Sequence, residues 1–161
     1  MTTLIETLAG VPAGSELSAA LKARAEVMRL SEAAHDAVLV PREPGGLSHA
    51  LRAALAARMC RLVGNAAAAA HYDVYLAHSD DADAAVLAQP GGTCGEPRQD
   101  AMARHADLLT LAPRKATKGD IEALKAAGIS EPDIVRLSEL AAFVNYQLRV
   151  IAGLKLLKGV Q

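Results

Sequence analysis

Residues 47–72 read LSHALRAALAARMCRLVGNAAAAAHY, two alanine-rich runs parted by a single Gly-Asn pair. Alanine has the highest intrinsic helix propensity, and Ser48 offers a hydroxyl to cap a helix running to about Val63. Gly64-Asn65 then supplies a stop or kink. A second helix follows, carrying His71, Tyr72 and Tyr75. Two helices joined by so short a turn form a helical hairpin, and the sequence around them predicts an all-α protein.

The rest of the chain agrees. Of 161 residues, 52% are hydrophobic but only 2% aromatic, so the interior is built of small side chains, which helices pack more readily than sheets. The length suits one domain with a real core. Gly10, Pro12 and Gly14 mark residues 1–14 as an irregular arm with an apolar turn at Leu4, Ile5 and Leu8, and residues 15–161 as a single helical domain. Ser15 opens a helix whose apolar positions Leu17, Leu21, Val27, Met28 and Leu30 continue to Val38. Pro41, Pro44, Gly45 and Gly46 break it. Ser79 to Asp81 cap a short helix through Leu87, residues 89–95 form a loop, and Pro97 precedes another amphipathic run. Thr117 with Asp120, and Ser130 with Asp133, approximate capping boxes on either side of Gly128. The last helix, about Glu131 to Leu157, is apolar on more than one face, which predicts burial from two sides and a subunit interface.

Seventeen basic against 18 acidic residues give a net charge of −1. Nothing in that balance calls for nucleic acid or an anionic membrane. The N-terminal residues lack a secretory pattern, and no run of about eighteen uninterrupted apolar residues occurs, so a cytoplasmic protein is expected. Cys60 and Cys94 form neither a disulfide framework nor a zinc-finger pattern. His35-Asp36 and His105-x-Asp107 are pairs without a third partner, so neither metal nor other cofactor is expected.

The helix pair resembles that of the alkylhydroperoxidase D-like proteins of the carboxymuconolactone decarboxylase superfamily. There a helix carries Cys-x-x-Cys-x-x-x-His with a glutamate upstream. Counting back from His71, the cysteine positions fall on Ala67 and Gly64 and the glutamate near Arg52. Residues 98–111, 117–124, 128–130, 134 and 143–149 are similar to the C-terminal half of the peroxidase-related branch. The resemblance implies a helical bundle assembling into dimers, trimers or hexamers. It also implies that dithiol peroxidase chemistry is missing, because alanine and glycine cannot supply a thiolate.

Three functions follow as expectations. The leading one is a binding or assembly partner, as a homo-oligomer, with a related active subunit, or with a small-molecule ligand. The second is a decarboxylase or lactone-processing enzyme in which His71 moves a proton. The third is a one-cysteine peroxidase using Cys60 or Cys94. Cys60 lies one turn before the vacated dithiol, flanked by Arg58 and Arg61, whose charge would lower its pKa if they faced it. Arg52 is a candidate carboxylate or phosphate clamp. Tyr75 shares a face with His71, and Asn145 and Arg149, one turn apart, are candidates to hold one ligand. Against each stands a plain packing or salt-bridge role.

Overall fold

The computed structural model describes residues 2–79 and 81–159. Among these, no strand occurs and nine α-helices follow one another: α1 (Leu4–Ala9), α2 (Glu16–Lys22), α3 (Ala25–Leu39), α4 (His49–Leu62), α5 (Ala66–Leu76), α6 (Ala82–Leu87), α7 (Pro97–Leu111), α8 (Lys118–Ala126) and α9 (Glu131–Gly159). The Ser48 hydroxyl caps α4 by accepting from Leu51 N–H at 3.1 Å. The turn into α5 closes with Asn65 N–H on Cys60 C=O and Gly64 N–H on Arg61 C=O. That pattern needs the left-handed φ of +71° that Gly64 provides. Asn65 Oδ1 then caps α5 through Ala68 N–H at 3.1 Å.

Helix α4 is the centre of the bundle. Every residue from Leu51 to Cys60 is buried, with α3, α5, α6, α7 and α9 packed around it. Ala53, Ala54, Ala56 and Ala57 are fully buried, so neighbouring backbones approach closely. Leu55 and Met59, also fully buried, each contribute about 1.5–3 kcal/mol by leaving water. Helix α9 supports α1, α3, α4, α7 and α8. By length and composition it could cross a membrane, but half of its most apolar window is buried inside the molecule. It also carries the buried amides of Asn145 and Gln147.

Two expectations need correction. The segment read as an irregular arm contains α1, whose N-terminus has a complete capping box between Thr3 and Glu6 and whose Ile5 and Ala9 are buried. The helix expected from Ser15 to Val38 is two helices broken at Ala23-Arg24. No glycine or proline marks the break. It allows Leu17 of α2 and Met28 of α3 to join Ile5, Ile151 and Leu154 in one small cluster, so tertiary packing overrides local propensity.

Buried arginines tie the connections. Arg58 grips Asp107 through two bonds, Nε–Oδ1 at 2.6 Å and Nη2–Oδ2 at 2.7 Å. Its remaining nitrogen, Nη1, donates to the carbonyls of Leu87, Gln89 and Gly92. Asp133 accepts from Gly46 N–H, Arg98 and Arg136, pinning the α3–α4 connector to α7 and α9. Burial would raise the Asp133 pKa, but the Gly46 N–H, Ser130 and the two guanidinium groups outweigh it and hold the carboxyl below its usual range.

Candidate functional site

The five alanines that open α5 let it lie against α4, and the helix then presents His71 toward α3. The partner there is His35, which is 5% exposed. The two Nε2 atoms stand 3.1 Å apart, and His35 Nδ1 meets Asp36 Oδ1 at 3.0 Å. A carboxylate only accepts, so His35 carries its proton on Nδ1 and donates it to Asp36. With the ring neutral, Nε2 is a lone pair, and His71 Nε2–H donates into it. The result is a chain of polar hydrogens from His71 through His35 to the exposed Asp36 carboxylate. Burial, and after it His35, push the His71 pKa down, which keeps the ring neutral at pH 7.

The whole aromatic content of the chain, one phenylalanine and three tyrosines, gathers here. His35 stacks on Tyr72 with centroids 5.9 Å apart and meets the edge of Phe143 at 6.1 Å. His71 is edge-on to Tyr72 at 5.1 Å and to Tyr75 at 5.6 Å. Tyr146 adjoins Phe143 and hydrogen-bonds Ser31 at 2.8 Å. Tyr72 is buried and bonds the Gln147 side-chain oxygen at 2.6 Å; burial drives its pKa far upward. These packed rings fix both imidazoles. On the open side lies a cleft of about 330 Å³, lined by Leu4, Glu32, His35, Asp36 and His71.

The sequence identified His71 and Tyr75 correctly as neighbours but missed His35, 36 positions earlier. Its only signal was the His35-Asp36 pair, which cannot reveal a partner on another helix. Cys60 is fully buried. Burial pushes its thiol up to about 12, against a smaller lowering by Arg61. Arg58 points instead to Asp107, and Arg61 is engaged by Asp73 at 2.6 Å. Cys94 is half-buried, with its sulfur 3.6 Å from Asp100 Oδ1, and its pKa is raised, chiefly by desolvation. Both thiols are free.

The candidate clamps all make hydrogen bonds within the protein. Arg52 is 2% exposed and spends its guanidinium on the carbonyls of Leu47, Val38 and Pro44 at 2.8–2.9 Å, holding the connector that precedes α4. Among the described residues, no carboxylate forms a salt bridge with it. Asn145 donates to Thr110 and the Ala141 carbonyl, and Arg149 to the Asn145 carbonyl. This pair lines a separate 280 Å³ pocket with Val63, Asn65, Thr110, Leu148 and Ala152, apart from the histidines. Gly64 and Ala67, the positions that the resemblance sets against its two cysteines, are exposed, in the turn and first turn of α5.

No family model and no curated protein matches the chain. Solved structures do. An uncharacterized peroxidase-related protein from Silicibacter sp. TM1040 superposes with a TM-score of 0.61 at 20% identity, over 80% of this chain and 68% of that one. A second, described as an alkylhydroperoxidase AhpD core and an uncharacterized peroxidase-related protein, from Ralstonia eutropha JMP134, gives 0.58 at 23% identity, over 83% and 71%. The all-helical fold is that of the alkylhydroperoxidase D core.

Proposed function

We propose that this chain, on its alkylhydroperoxidase D-like fold, performs no dithiol peroxidase chemistry and acts as a peroxidase-related binding or assembly protein whose ligand cleft is centred on His71. The observation that carries this is the His35–His71 contact in an aromatic setting, with no thiol among the residues lining the cleft. Glu32 and Asp36 at its rim repel anions, so a neutral or cationic small molecule suits it best. The apolar groove between α3 and α9, lined by Val27, Leu30, Phe143 and Tyr146, supports a homo-oligomer or a pairing with a related active subunit. The cytoplasm remains the proposed location.

The proton chain from His71 to Asp36 favours a second reading, in which His71 Nδ1 accepts a proton from a bound substrate. The decarboxylase or lactone-processing form of that reading is disfavoured, since Arg52 is committed to backbone carbonyls and Arg149, the other candidate clamp, lines a pocket apart from His71. One-cysteine peroxidase chemistry is disfavoured by the raised pKa of both thiols.

Peroxide consumption with a dithiol reductant tests the primary reading. The expected rate equals that of a Cys60→Ser, Cys94→Ser double variant and of the reductant alone. Turnover lost in the double variant would overturn it. Ligand screening by thermal shift, with His71→Ala as the comparison, tests the cleft: ligands that stabilise the native chain and not the variant support it, and equal shifts count against it. Turnover of such a ligand, lost in His71→Ala, would establish the second reading.

A further inference from the structure

We infer that His35 and His71 form the nitrogen core of a binding site for a borderline divalent cation, with Zn²⁺ as its simplest occupant. The inference deepens the ligand role of the same cleft. Two imidazoles can meet Nε2 to Nε2 only if one supplies a proton or a cation lies between them. Two nitrogens on a tetrahedral zinc, each ~2.0–2.1 Å from the metal, stand about 3.3 Å apart. The observed 3.1 Å is a few tenths of an ångström short of that, and both rings must also turn so that their lone pairs converge on the metal. Imidazole nitrogen suits zinc, copper and nickel.

The surroundings match what such a site requires. A metal-binding histidine usually gives its other ring N–H to a carboxylate, which fixes the tautomer and makes the ligating nitrogen more basic. His35 does this with Asp36 at 3.0 Å, which leaves its Nε2 lone pair available to a cation once the His71 proton has moved. His71 needs only to move its proton from Nε2 to Nδ1, with no change in net charge. The packed rings of Tyr72, Tyr75 and Phe143 hold both imidazoles in place.

Among the described residues, no third His, Cys, Asp or Glu joins the pair at ligating distance. Glu32, however, lies one turn before His35 on α3 and lines the same cleft. Its Oε1 accepts from Leu4 N–H at 2.9 Å, and its other oxygen is the third ligand the site would recruit. Open positions would remain toward the cleft, for water or a small molecule. The Glu-x-x-His spacing of Glu32 and His35 puts carboxylate and imidazole on one helical face.

Calorimetry with Zn²⁺ on the full, chelator-treated chain is the test, with electron paramagnetic resonance of the Cu²⁺ form as a readout that needs no substitution. One equivalent is expected to bind, lost in His35→Ala and His71→Ala and weakened about 10–100-fold in Asp36→Asn, the loss usual for an outer-shell carboxylate. Asp36 is an exposed residue, so that variant keeps its fold. A His49→Ala, His78→Ala variant, altering exposed imidazoles elsewhere, is expected to bind as the native chain does. The Cu²⁺ spectrum is expected to show coupling to two nitrogens. Absence of Zn²⁺ binding, binding that survives in both single histidine variants, or loss in the His49, His78 variant would overturn the inference. Organic ligands assayed on chelator-treated protein report on the binding role alone, so the two can fail separately.

Discussion

Cys60 should be chemically silent in the folded protein, and its silence can be scaled. Its thiol is pushed up to about 12 by burial. At pH 7 that leaves a thiolate fraction of about 10⁻⁵, against roughly 3% for a free cysteine of pKa ~8.5. Charge state alone therefore slows any thiolate reaction about 3,000-fold. The sulfur is also fully buried, so a reagent must wait for an opening of the α4–α5 hairpin, which lowers the rate further. The assay is alkylation by iodoacetamide at pH 7, followed by mass spectrometry of the two cysteine peptides, in native protein and in denaturant. Half-buried Cys94 serves as the internal comparison. The expected result is a Cys60 rate at least ~10³-fold slower in the native state than in denaturant. Cys94 should label first. Native-state alkylation of Cys60 at a free-thiol rate, or its conversion to sulfenic acid by peroxide without unfolding, would refute the reasoning and revive a one-cysteine peroxidase.

Three further outcomes follow from the packing. Replacing Arg58 by Met strands Asp107 and three carbonyls, and is expected to cost about 3–5 kcal/mol in urea denaturation; a loss below ~1 kcal/mol would show that the arginine is not the tie it looks to be. A Cβ on Gly46 would run into Arg98 and Asp133, so Gly46→Ala should lose about 1–3 kcal/mol, whereas the half-buried Gly153, with open space where a Cβ would stand, should accept alanine without loss. Burial lowers the His105 pKa, partly offset by Asp120. A depressed folded pKa means that stability is full above the unfolded value of about 6.5 and is lost as pH falls through the folded value. Denaturation midpoints should therefore decline below pH ~6.5, with a smaller decline in His105→Leu.

Elements whose ends are written in local chemistry were legible in the sequence. Ser48, Gly64-Asn65, Asp81, Pro97 and the Thr117–Asp120 pair each mark a boundary where the structure has one, because caps act over three or four residues. The break at Ala23-Arg24 carries no such mark and depends on packing against α1 and α9. The apolar faces of α9 point to burial from two sides, but they do not show that the most deeply buried helix is α4, every residue of which from Leu51 to Cys60 is buried and whose two buried arginines disguise its apolar environment. The candidate site divided on the same line. His71 and Tyr75 share one helix and were found together, whereas His35 approaches from α3. The backbone carbonyls that occupy Arg52, and the Thr110 and Ala141 oxygens that Asn145 bonds, leave no trace in the sequence. The grouping of all four aromatic residues at the histidines was present in the composition only as scarcity; folding turned it into a location.

The pairing of His35 with His71 is tested most directly by nitrogen NMR of the ring-labelled, metal-free protein at pH 7. The expected spectrum has His35 protonated on Nδ1, His71 protonated on Nε2, and a scalar coupling between the two Nε2 nuclei across their hydrogen bond. Both rings protonated on Nε2, with no coupling between them, would contradict the proton chain and with it the site built around His71.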